Sequence, residues 1–300
     1  MSAQGKKMSR GMMLQGMLLV AGVWLAGQGM AQTIAVSNDQ AIAFLGDSIT
    51  EAGAGSPGGY CQLVVSGLAA NGIKVKLIPA GISGHKSNDM RGRLAKDVLD
   101  KKPDWMTLSC GVNDVWAGAN GVPLEAYKTN IMDIVDRAQA AGIRVMILTA
   151  TMISESAKAE SNQKLADYNA FLLTLAAEKK CLLADLNAAM QKAVEEGRAK
   201  GQAGNLLTTD GVHMNLAGNQ VMAVGVLRAF GLTDEQIRKA QDHWLDVPNA
   251  ASVLISAPIP LTIRQYNQLQ EIADARKTNL ADMLKSDASK MVEALLKPGK

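Results

Sequence analysis

The stretch Ala41-Ile42-Ala43-Phe44-Leu45-Gly46-Asp47-Ser48-Ile49-Thr50 decides how the rest of the chain is read. Its first five residues are continuously apolar, the pattern of a parallel strand covered on both faces rather than an edge strand with one wet side. Gly46 permits a sharp exit from such a strand. Ser48 would then stand at the carboxyl edge of the sheet, where open α/β folds bind their ligands. Asp and Ser are also ordinary turn residues, so the decapeptide by itself fits a capped turn at least as well. The rest of the chain decides between the two.

Working outward, strand-like and helix-like stretches alternate, which marks a three-layer α/β/α sandwich around a central parallel sheet. Short apolar runs at Val75–Ile78, Trp105–Cys110, Val145–Leu148 and Leu182–Ala184 supply four more strands. Helices are expected over Gly59–Asn71, Asn88–Asp100, Gln163–Lys180 and Asn187–Arg198, with another after His213 that ends at Gly231. The helix after Pro123 is better signed. Leu124, Tyr127, Ile131, Val135 and Ala138 share one face, and Gly142 stops it. Thr233 with Gln236 forms a capping box for a further helix, so the core domain is expected over 37–247. Residues 248–300 open with prolines and continue in amphipathic, helix-forming sequence, a C-terminal helical extension.

Residues 1–31 read as a secretory signal peptide. Lys6, Lys7 and Arg10 give a positive start, Gly11–Gly27 is almost wholly apolar, and Gly29-Met30-Ala31 offers small residues for cleavage after Ala31. The apolar run falls short of the ~20 residues a spanning helix needs, so a periplasmic or secreted protein without stable membrane insertion is expected. The net charge of +3 is too small and dispersed for a nucleic-acid partner, and 4% aromatic residues leave little for base stacking. Three cysteines, Cys61, Cys110 and Cys181, leave at least one thiol free in an exported chain, with one disulfide compatible. No metal-ligand spacing occurs, so neither metal nor cofactor is expected.

Four groups that bear chemistry should gather along one edge of the sheet. They are Ser48, Gly81 in Ala80-Gly81-Ile82-Ser83-Gly84, Asn113 in Gly111-Val112-Asn113-Asp114, and Asp210-Gly211-Val212-His213. As a set they resemble the four blocks of the SGNH (GDSL) hydrolase family, in the family's order, over about residues 40–231. The second block departs from the pattern, because Pro79 stands where the family has Asn. The resemblance implies the flavodoxin-like SGNH fold, a serine ester hydrolase working through an acyl-enzyme, and an oxyanion hole made of Ser48 N–H, Gly81 N–H and the Asn113 amide.

The residue chemistry supports the same casting. A serine hydroxyl is a poor nucleophile until a base takes its proton. Of the three histidines, His213 lies three residues after Asp210, near enough for that carboxylate to fix its tautomer. His85 follows a glycine loop on the same edge and lines the pocket at most, with no acid to orient it; His243 reads as a surface or packing residue. Asp47 and Asp114 read as loop-bracing carboxylates. Trp116 fits a substrate platform and a core plug equally well. Tyr60 and Met152 are weaker pocket candidates, with packing the better reading.

Gly53-x-Gly55-x-x-Gly58 matches a dinucleotide-binding fingerprint, but Asp47–Ala52 separate it from the strand, and Lys76-Leu77-Ile78-Pro79 stands where the ribose-binding acid belongs. No Gly-x-Ser-x-Gly elbow occurs, which excludes a close α/β-hydrolase relative. The expected function is therefore exported ester hydrolysis, with a short acyl group on a carbohydrate as substrate. A general short-chain carboxylesterase or lipase-like acylhydrolase is the alternative, and a non-catalytic binding protein on the same fold is a more distant one. The sequence is compatible with a homo-oligomer.

Overall fold

A computed structural model describes residues 33–250 and 262–297 of the 300-residue chain. The expected signal peptide, residues 1–31, lies outside the described residues. The chain divides into two compact units at Ala251/Ser252.

In the first unit β1 (Ala41–Gly46) leads directly into α1 (Ser48–Gly55), then α2 (Tyr60–Ala70), β2 (Lys76–Gly81) and α3 (Ser87–Asp97). There follow β3 (Trp105–Ser109), a short α4 (Val112–Trp116), α5 (Leu124–Ala140) and β4 (Arg144–Leu148). The chain continues through α6 (Glu160–Glu178), β5 (Leu182–Ala184), α7 (Leu186–Ala199), α8 (Leu216–Ala229) and α9 (Asp234–Trp244). All five strands are parallel, in the order β2-β1-β3-β4-β5. Helices α2, α7, α8 and α9 pack in one group and α3, α5 and α6 in another, giving the expected three-layer α/β/α architecture.

Burial explains the strand pattern. In β1 every residue after Ala41 is buried, and β3 is buried throughout, because both strands are covered by helices on each face. The apolar face of α5 also lies inward, with Tyr127, Ile131, Val135 and Ala138 all at 0% exposure. The chain proceeds from β1 to β2 on one side and then crosses to β3 on the other. The strand order therefore reverses between β1 and β3, and the carboxyl ends at such a point are where open α/β sheets take ligands.

Three features differ from the sequence reading. Helix α1 was not expected, since its sequence SITEAGAG carries two glycines. It forms because Asp47 caps it, accepting from Ile49 N–H at 3.0 Å, and because it packs on β2 and α2. The five-residue α4 is too short for hydrophobic periodicity to reveal. Strand β2 runs three residues past Ile78, through Pro79. It is the edge strand, so a residue without an N–H costs the sheet no ladder bond on the open side.

In the second unit α10 (Ile263–Ala275) and α11 (Leu280–Leu296) pack on each other, α10 starting at a Thr262–Gln265 capping box. No described helix is long and apolar enough to cross a membrane.

Candidate active site

Ser48 is the first residue of α1, immediately after the Asp47 cap. The backbone amides of the first helical turn, with the positive end of the helix dipole, therefore sit beside its hydroxyl. Asp47 is 3% exposed, and burial pushes its carboxyl up to about 6 against the lowering bond from Ile49 N–H. Its role is to brace the loop, as expected. Asp114 is likewise a brace: its carboxylate accepts from Ser87 N–H at 3.0 Å and from Ser87 Oγ at 2.6 Å.

His213 comes from the loop before α8, 165 residues along the chain. Its Nε2 lies 3.0 Å from Ser48 Oγ, and its Nδ1 lies 2.7 Å from Asp210 Oδ2. The other oxygen of Asp210 accepts from Val212 N–H at 2.9 Å and His213 N–H at 2.8 Å. Partial burial pushes the Asp210 carboxyl up, but the His213 ring and these two amides outweigh it and hold it down at about 2. An ionised Asp210 keeps the hydrogen of the neutral imidazole on Nδ1, which leaves Nε2 free to accept from the Ser48 hydroxyl. The relay is open to solvent, with the His213 side chain 37% exposed and that of Asp210 49%.

The second and third blocks reach the same edge. Gly81 ends β2, paired with Gly46 of β1. A Cβ there would collide with the Glu51 backbone nitrogen, so close packing of α1 on β2, rather than substrate approach, is what requires glycine. Asn113 lies in the first turn of α4, just past β3. One N–H of its amide is spent on the His85 carbonyl at 3.1 Å, and an amide nitrogen carries two.

Trp116 ends α4 with 51% of its surface exposed, its ring in an edge-to-face arrangement with the His213 ring at 6.1 Å between centroids. It is not a core plug. The expectation that Tyr60 lines the pocket is corrected. Tyr60 is 0% exposed, its hydroxyl bonds Thr50 Oγ1 at 2.9 Å, and its ring stacks edge-on against Phe44. Met152 is buried as well. His85 is half-buried and is oriented by a cation instead of an acid: Arg93 Nε donates to its Nδ1 at 3.0 Å. His243 lies exposed on α9.

Sequence reasoning missed Glu155. Its side chain is only 2% exposed and accepts from the backbone N–H groups of Leu206, Leu207 and Thr208 at 2.6–2.8 Å. It also accepts from the Thr208 hydroxyl at 2.7 Å, and Thr208 Oγ1 in turn accepts from Gly211 N–H at 3.1 Å. Burial raises this carboxyl, and the four bonds more than reverse that, so it sits below the usual carboxylate range. Glu155 thus anchors the loop that carries Asp210 and His213. A lone Glu between two serines after β4 gives no sequence signal for that.

All three cysteines are free thiols, Cys61 and Cys110 buried and Cys181 half-buried. Gly53 and Gly55 lie inside α1 rather than between a strand and a helix start, so they form no phosphate cradle. Among the described residues no group of three or more His, Cys, Asp or Glu side chains could hold a metal ion.

A doubly wound parallel sheet with a Ser–His–Asp relay beside its switch point defines a hydrolase of the serine class. Residues 44–221, more than half the chain, match the GDSL-like Lipase/Acylhydrolase family model, and the protein belongs to that family, an esterase or acylhydrolase. It is 26% identical over 215 residues to an acetylxylan esterase of Geobacillus stearothermophilus, covering 65% of this chain and 96% of the relative. It is 30% identical over 139 residues to Esterase TesA of Pseudomonas aeruginosa, covering 46% of this chain and 63% of that one. Among solved structures it resembles the acetyl xylan esterase AlAXEase, with a TM-score of 0.59 and 31% identity over 63% of this chain and 98% of the other.

Proposed function

We propose that the protein is an exported, metal-independent serine esterase that removes short acyl groups, acetyl above all, from carbohydrate. Ser48 Oγ attacks the acyl carbonyl while His213 Nε2 takes its proton. The tetrahedral oxyanion is held by Ser48 N–H, Gly81 N–H and the second N–H of Asn113. Collapse expels the alcohol, protonated by His213, and water releases the acyl-enzyme by the same steps in reverse order. The observation that carries this reading is the unbroken Asp210–His213–Ser48 chain of 2.7 and 3.0 Å contacts.

Two features favour a sugar as the alcohol. The relay is exposed enough to admit a bulky leaving group, and Trp116 offers a flat apolar face beside His213 on which a pyranose can stack. The acetylxylan esterase relative points the same way; the TesA relative supports a general short-chain esterase instead. The mature chain, starting after Ala31, is to be assayed on acetylated xylo-oligosaccharides and on aryl esters of rising acyl length. Acetylated sugar as the best substrate by kcat/KM supports the first reading, and simple short-chain aryl esters turned over better than any acetylated sugar support the second. Ser48→Ala should lower kcat on an aryl acetate by about 10³-fold or more with the fold intact. Wild-type turnover by that variant would end the assignment.

A further inference from the structure

We propose that Arg93 is a positioning residue for the oxyanion hole, holding its three donors in register through a single guanidinium group. The inference rests on the serine-esterase reading above. Arg93 projects from α3 beneath the ends of β1 and β2, with a side chain only 10% exposed. Its Nη2 donates to the Gly46 carbonyl at 2.8 Å and its Nη1 to the Ala80 carbonyl at 2.8 Å. Its Nε donates to His85 Nδ1 at 3.0 Å.

Each acceptor leads to one donor of the hole. Gly46 lies two residues before Ser48 and ends β1, so it sets where α1 begins. The Ala80 carbonyl belongs to the same planar peptide unit as Gly81 N–H, and fixing one end of a planar unit fixes the direction of the other. The His85 carbonyl accepts from Asn113 Nδ2, so anchoring the His85 ring anchors the amide. Because Arg93 Nε is always a donor, His85 Nδ1 must accept, and the ring carries its hydrogen on Nε2. Nη1 also pairs with Asp97 at 2.9 Å, which neutralises most of the cation's field. The brace therefore acts through the geometry of its planar fork, which the single ammonium of lysine does not reproduce.

Arg93→Lys tests this with charge retained. The expected result is a 10- to 100-fold loss of kcat, of the order that misplaced oxyanion donors cost, with KM within about twofold. The acid limb of the pH profile should stay where it is, since Asp210 and His213 are untouched. Combined with Asn113→Ala, the loss should be far less than the product of the two single losses, because both act on one oxyanion. Full multiplicativity, a loss confined to KM, or kcat within twofold of wild type would each overturn the proposal. If Arg93→Lys shows no cooperative melt, the half-buried His85 decides. His85→Asn keeps an acceptor near the Nδ1 position and should turn over several-fold faster than His85→Leu; equal rates would overturn the proposal. Loss of activity in Ser48→Ala, measured alongside, tests the esterase reading independently.

Discussion

Ser48, His213 and Asp210 divide the electrostatic labour by environment. Asp210, held at about 2, stays ionised throughout the assay range, so loss of its charge should not shape the acid side of the profile. Asp210→Asn should lower kcat by about 10³–10⁴-fold, because the ring then loses the partner that selects its tautomer. Asp47 behaves in the opposite sense. Its folded value, about 6, lies above the unfolded one, so the folded state binds the extra proton between the two. The stability that this proton brings is complete at low pH and is lost as pH rises through about 6. Asp47→Asn, which keeps the oxygen that accepts from Ile49 N–H, should therefore stabilise the protein at pH 8 by up to about 3 kcal/mol, seen as a higher melting temperature, and hardly change it at pH 4. Thermal scans at the two pH values check the sign. Both carboxylates are visible in the sequence as loop residues. Their opposite shifts come from burial and amide partners that only the folded chain supplies.

At the scale of elements, the site depends on loops held by residues far from them in sequence. The clearest case is Glu155, which links the segment after β4 to the loop before α8 through four hydrogen bonds. Glu155→Gln replaces one carboxylate oxygen by an NH₂ that faces the Leu206 N–H, leaving a buried donor unpaired. The expected cost is about 1–3 kcal/mol of stability together with a fall in kcat of about tenfold, read from thermal unfolding and aryl acetate turnover. Since the carboxyl sits below its usual range, the stability it contributes is present above pH 4.5 and is lost as pH falls through its folded value. The gap between wild type and variant should therefore narrow in acid. An equal gap at pH 4 and pH 7 would refute the charge-based account. Helix α1 teaches a related lesson. Its two glycines argue against a helix by propensity, yet the Asp47 cap and packing on β2 form one and place Ser48 in its first turn.

For the whole molecule, every residue assigned to the reaction lies before Ala251, in the first compact unit. A chain ended at Ala251 is expected to keep kcat on aryl acetate within about twofold, and a tenfold loss would give the C-terminal helix pair a part in turnover. The sequence by itself determined the order of strands and helices, because apolar runs and caps are local signals. It also carried Ser48, Gly81, Asn113, Asp210 and His213, because those side chains stand at strand ends, where spacing along the chain reports position on the sheet edge. Only the tertiary structure decided that Tyr60 belongs to the core, that Trp116 faces solvent beside His213, and that Gly81 is required by the approach of α1. Only it showed Arg93 and Glu155 bridging segments remote in sequence. Burial and long-range hydrogen bonds are properties of pairs of distant segments, and no local pattern of residues encodes them.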